Sequence, residues 1–84
     1  MRIQDKVIVI TGGASGLGLA TAHYMAGEKA ARVAIFDLDV EAGERAMAEL
    51  GPHRAMFVQT DVSNETSVQN AVDAVIAKFG AIHV

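Results

Sequence analysis

Eighty-four residues, a net charge of −3 and no basic run argue against a polyanion partner, so neither a nucleic acid nor a membrane surface is expected. With 51% hydrophobic and 20% charged residues, positions 1–84 read as one small globular unit. Zero cysteines exclude a disulfide framework and a thiolate metal site, and fit a reducing, cytoplasmic compartment. The opening "MRIQDK" is too short and polar for a signal peptide, its Asp5 argues against a transit peptide, and no apolar run approaches a membrane span.

The elements alternate along the chain. Residues 6–11 read as a strand, and four consecutive β-formers (Val7, Ile8, Val9, Ile10) predict burial on both faces, as in a parallel sheet. A helix is predicted from about Leu17 to Glu28. "RVAIFD" (32–37) is a second strand, apolar until its terminal acid. "EAGERAMAEL" (41–50) is a second helix with a solvated acidic face (Glu41, Glu44, Glu49), closed by Gly51 and Pro52. "RAMFVQT" (54–60) is the third strand. Val68, Ala71, Val72, Val75, Ile76 and Phe79 fall at i, i+3, i+4, i+7, i+8 and i+11, the stripe of a helix packed on a sheet, which Gly80 closes. "AIHV" (81–84) reads as a fourth strand that has just begun. The expected architecture is therefore α/β: a βαβαβα run in a doubly wound parallel sheet with helices on both faces, breaking off at the start of the fourth strand. No internal repeat or linker divides it.

Between the first strand and first helix stand Gly12, Gly13, Gly16 and Gly18. In such folds this loop meets a helix N-terminus, where free N–H groups and the positive dipole end form an anion site. Gly12 is expected to turn the chain off the strand, Gly16 to let a pyrophosphate approach the backbone amides, and Gly18 to let the helix lie close to the sheet. Ser15 can offer a hydroxyl donor and Leu17 a backbone amide. A merely flexible glycine loop is the plainer alternative, but strand before and helix after are the context that a nucleotide-binding loop needs. The spacing is not G-x-G-x-x-G/A, because Thr21 stands at its last position.

"TGGASGLG" (11–18) resembles the T-G-x-x-x-G-x-G signature of the short-chain dehydrogenase/reductase family. The likeness covers the whole chain: an acid ends the second strand, "DV" (Asp61, Val62) follows the third, and a helix ending "KFG" leads into the fourth. "VITGGASGLGLATA" looks especially like the type-2 3-hydroxyacyl-CoA dehydrogenases of that family. One departure is that the glycine usually placed before the second strand is missing; Lys29 and Ala30 stand there, with one extra residue.

Asp37 lies nineteen residues after Gly18. A carboxylate there can accept from both hydroxyls of an adenosine ribose and repel a 2′-phosphate, and Gly13, Ala14, Ser15 and Leu38 supply no cation for one. NAD is accordingly the expected cofactor; the alternative for Asp37 is a polar strand end or a cap for the next helix. The resemblance implies that Asp61 meets the adenine amino group and the Val62 backbone a ring nitrogen. On local grounds Asp61 reads equally well as an Asx-type turn.

No catalytic or metal-binding residue is expected among the 84. His23, His53 and His83 have no ligand spacing and read as ordinary surface or interface groups, and Tyr24 lacks a lysine four residues on. The family's tyrosine, lysine, serine and asparagine would all lie beyond position 84, so the chain alone is expected to be inactive. A homotetramer acting on a small-molecule secondary alcohol or ketone is implied by resemblance only. A noncatalytic NAD-binding module, an isolated fragment that self-associates, and a methyltransferase-like nucleotide fold are the other readings.

Overall fold

Three parallel strands, β1 (Val7–Thr11), β2 (Arg32–Asp37) and β3 (Ala55–Gln59), lie side by side in the order β1-β2-β3. Helix α1 (Gly16–Gly27) joins the first two, α2 (Val40–Leu50) joins the second pair, and α3 (Glu65–Phe79) follows β3. The computed structural model describes residues 3–29 and 31–84, so Ala30, at the departure noted before β2, lies outside the described residues. There Ala31 N–H donates to Met25 O (2.9 Å), which closes the end of α1 onto the start of β2.

Alternation along β2 explains the two layers of helices. Val33 and Ile35 face α1 and α2, packing with Ala22, Ala42 and Ala46. Ala34 and Phe36 face the opposite way, onto Ala71 and Val75 of α3. Small alanines on the helices let them approach the sheet, while branched residues on the strand fill the space between. A fully buried side chain such as Ile35 contributes roughly 1.5–3 kcal/mol relative to exposure.

The three strands and three helices predicted before residue 80 form, with ends displaced by about a residue, whereas the fourth strand expected to begin at 81–84 does not. Helix α1 begins one residue earlier than expected, and Glu28 is its C-cap, donating to Tyr24 O. Gly80 closes α3 in the left-handed region (φ +86°), where its N–H donates to Ile76 O. The apolar stripe of α3 is not covered throughout: Ala71 and Val75 are buried, whereas Ile76 at its flank is 48% exposed.

Residues 81–84 form no strand of their own, but they line the free edge of β1. His83 N–H donates to Val7 O and Val9 N–H donates to Val84 O, each at 2.9 Å. Val7 N–H donates to His83 Nδ1, also at 2.9 Å, so this exposed histidine holds the edge that it adjoins. The chain has therefore wound from β1 to β3 in one direction and returned by way of α3 to the other side of β1. In doubly wound sheets, ligands sit at such a reversal, outside the carboxyl ends of the strands.

Candidate nucleotide-binding site

From the carboxyl end of β1 the chain passes through Gly12 (φ +65°) and Gly16 (φ +55°) before α1 is established. Both angles lie in the left-handed region, which any Cβ would strain. Gly18 is required for space instead. A Cβ there would overlap the Gly12 carbonyl, so the close approach expected between helix and sheet is one between helix and loop. Gly13, which sequence reasoning left without a role, seats the loop on the sheet: a Cβ would stand 3.0 Å from Ile10 O and 3.1 Å from Ile35 Cγ2.

The three helices begin differently. Asp39 caps α2 by accepting from Ala42 N–H (3.0 Å), and Asn64 caps α3 by accepting from Ser67 N–H (2.9 Å). Each of those helices also carries an acid in its first turn, Glu41 and Glu65. Ser15 occupies the N-cap position of α1, yet its side chain makes no capping bond, and the first turn holds no acid. The N–H groups and positive dipole end of α1 thus face outward with no answering side chain of the helix itself. Leu17 stands at this end, 85% exposed.

Beside the loop, the strand ends frame a cleft of about 300 Å³. Thr11 ends β1 and Gly12 follows it, Phe36 and Asp37 end β2 and Leu38 follows them, and Thr60 and Val62 come from the segment after β3. Leu38 and Val62 are each 61% exposed and offer apolar surface at the cleft. Thr60 is buried and ties this rim together: its N–H donates to Asp37 O (2.9 Å) and its hydroxyl to Val58 O (2.8 Å). Of the residues singled out in the sequence, Gly12, Asp37 and Val62 meet in the cleft, while Ser15, Gly16, Leu17 and Gly18 form the adjoining loop and helix end. Thr11, Phe36 and Thr60 were missed, and Leu38 was singled out only for its lack of charge; their signal was their place at the carboxyl ends of apolar runs.

Asp37 is the last residue of β2 and is half-buried, its Oδ2 accepting from Ala14 N–H (3.2 Å) and its Oδ1 from Asp39 N–H (3.0 Å). The departure before β2 therefore leaves this acid at the strand end, facing the glycine loop. Asp61 behaves differently. Its Oδ1 accepts from the Ser63 hydroxyl (2.6 Å) and Ser63 N–H (2.9 Å), forming the Asx-type turn. Those two donors, the hydroxyl foremost, hold its carboxyl below the usual carboxylate range. Asp61 is not among the residues that line the cleft. Among the described residues no group of three His, Cys, Asp or Glu could hold a metal ion, and no helix is long and apolar enough to cross a membrane.

A model of the short chain dehydrogenase family matches residues 6–84. The chain belongs to that family. One relative is momilactone A synthase of Oryza sativa subsp. japonica, 45% identical over 83 residues, which cover 99% of this chain and 30% of the relative. A short chain dehydrogenase/reductase from Burkholderia phymatum, solved in complex with NAD, superposes with a TM-score of 0.92 at 35% identity, covering 99% of this chain and 30% of that one. The 3-ketoacyl-(acyl-carrier-protein) reductase of Brucella melitensis, solved with NADH, gives 0.90 at 39% identity, over 95% and 32%. The chain thus spans about three-tenths of the length of these relatives.

Proposed function

We propose that these residues form the adenosine- and pyrophosphate-binding part of an NAD-dependent dehydrogenase, which exchanges hydride between NAD and a secondary alcohol or ketone. The observation that carries the reading is the open N-terminus of α1, set beside a strand-end carboxylate. Two solved relatives, one in complex with NAD and one with NADH, lend it support.

In this reading the pyrophosphate lies on the loop and the start of α1. Gly12 and Gly16 give the loop its turn, Gly18 lets the helix approach, the uncommitted Ser15 hydroxyl donates to a phosphate oxygen, and the Leu17 amide adds a second donor. Asp37 accepts from the ribose 2′- and 3′-hydroxyls, the adenine enters the cleft against Leu38 and Val62, and Asp61 with the Val62 backbone marks the ring's polar edge. A cleft of about 300 Å³ is at the small end for ligand pockets, suited to a nucleoside. When bound, the nicotinamide would supply the hydride acceptor, while the residues here would hold the adenosine and pyrophosphate. The proton-transferring groups are assigned to positions outside these 84 residues.

Selection of NAD over NADP follows from charge. A 2′-phosphate about 4 Å from the Asp37 carboxylate would be repelled by roughly 4 kcal/mol at an effective dielectric near 20. No Lys or Arg stands at 13–15 or 38 to offset that repulsion. Titration calorimetry should find NAD bound at least about a hundredfold more tightly than NADP, a difference of roughly 2.7 kcal/mol. Equal affinities, or a preference for NADP, would reject this role for Asp37.

For the substrate, the resemblance of "VITGGASGLGLATA" points to a 3-hydroxyacyl-CoA. The 3-ketoacyl-(acyl-carrier-protein) reductase relative supports a 3-oxygenated acyl thioester. A cytoplasmic homotetramer belongs to the same reading. NAD-dependent oxidation of a 3-hydroxyacyl-CoA, run beside a hydroxysteroid and a simple secondary alcohol, tests the substrate class. Because these 84 residues alone are expected to be inactive, the assay uses a full-length protein carrying them, and NAD binding without turnover of any of the three would there favour a noncatalytic nucleotide-binding module.

A further inference from the structure

Asp37 is joined to the glycine loop through its side chain. Its Oδ2 accepts from the N–H of Ala14, 23 positions away in the sequence. Ala14 is only 4% exposed, and among the described residues the carboxylate is the sole acceptor for this amide. A second hydrogen bond between loop and β2, Gly12 N–H to Phe36 O (2.8 Å), is main chain to main chain and needs no particular side chain. Packing of Ala14 beside Val33 and Ile35 also holds the middle of the loop, but its one hydrogen bond to a side chain is to this carboxylate.

The acceptor capacity of that carboxylate matches its donors. Ionised, it offers about four lone-pair sites. Ala14 N–H takes one on Oδ2 and Asp39 N–H takes one on Oδ1, leaving one on each oxygen. Two main-chain donors also fix the side-chain torsions, so the remaining lone pairs have a set direction.

We infer that Asp37 is a positioning residue for the phosphate-binding loop as well as an acceptor for the ribose: it holds Ala14 in place and thereby presets the chain that leads into Ser15, Gly16 and the start of α1. This rests on the nucleotide-binding reading above and deepens it. Loss of the carboxylate leaves a buried N–H without its acceptor, and the loop must move to hydrate it. Affinity for the pyrophosphate then falls even when the ligand has no ribose hydroxyl for Asp37 to touch.

The test compares NAD with an analogue whose adenosine ribose lacks the 2′- and 3′-hydroxyls, titrated into the protein and its Asp37→Ala variant. Positioning predicts that Asp37→Ala weakens the dideoxy analogue by about tenfold and NAD by considerably more. Amide exchange without nucleotide should show Ala14 N–H losing protection in the variant. A dideoxy analogue that binds the parent and Asp37→Ala equally overturns the inference, because Asp37 then acts through the ribose alone. If Asp37→Ala fails to fold, Asp37→Leu keeps the branched shape with no acceptor, and the same losses are expected of it. Should the parent bind neither probe, the nucleotide reading fails, and exchange at Ala14 still decides the loop contact by itself.

Discussion

Ser63 donates twice to the Asp61 carboxylate, and this has a consequence for pH. Both donors favour the ionised form, so the folded chain holds this group below its unfolded value. The turn's contribution to stability is then complete above the unfolded carboxylate range and is lost as pH falls through the lowered folded value. Carboxyl-carbon NMR titration should find Asp61 ionising below an ordinary aspartate, and Ser63→Ala should return it toward the usual range. An unchanged titration in Ser63→Ala would refute the assignment. At this scale the sequence was legible in part. That Asp61 makes an Asx-type turn could be read from "DVSN", because the donor lies two residues away. The crowding at Gly18 and Gly13 could not, since it depends on where Gly12 and Ile35 come to lie in space. Gly43 was missed for the same reason: a Cβ there would overlap the Phe57 ring, a contact that exists only after α2 has folded onto β3.

Among the helices, cap chemistry separates stability from binding. Asp39 satisfies an otherwise free donor of α2, so Asp39→Ala should cost about 0.5–2 kcal/mol in chemical denaturation. Ser15 sits at the same position of α1 and satisfies none, so Ser15→Ala should leave the denaturation midpoint almost unchanged while weakening NAD binding. Equal losses of stability in the two variants would mean that the Ser15 hydroxyl caps its helix in solution. Helix α3 and its Gly80 stop were plain in the sequence, because the 3.6-residue period carries its own geometry. The start of α1 was less plain. Its "GLGLATAHYMAG" alternates small and apolar residues with no polar face, so neither a cap nor an amphipathic boundary marks where the helix begins.

For the molecule as a whole, β2 bears the packing load, with four consecutive residues buried and helices against both sides. Ile35→Ala should destabilise by about 2–5 kcal/mol, as read from denaturant melts, since neighbours on a sheet cannot collapse into the gap. A loss under about 1 kcal/mol would mean that the two layers are not rigidly stacked. The parallel build was legible because short apolar runs alternating with helices imply helical crossovers between parallel strands. The role of His83 was not: an imidazole accepting a main-chain N–H from β1 requires knowing that the chain returns to that edge. That return spans 76 positions, from Val7 to His83. A ribosome adding roughly 5–20 residues per second needs on the order of 4–15 s to cover it. Throughout that interval β1 is already made, and β2 can join it on one side only. Its other edge is an apolar strand with open hydrogen-bonding groups, the kind of surface that pairs with a neighbouring nascent chain. The yield of soluble protein should therefore depend on the pace of translation between β2 and residue 84, and on chaperones that shield one strand edge until its partner emerges.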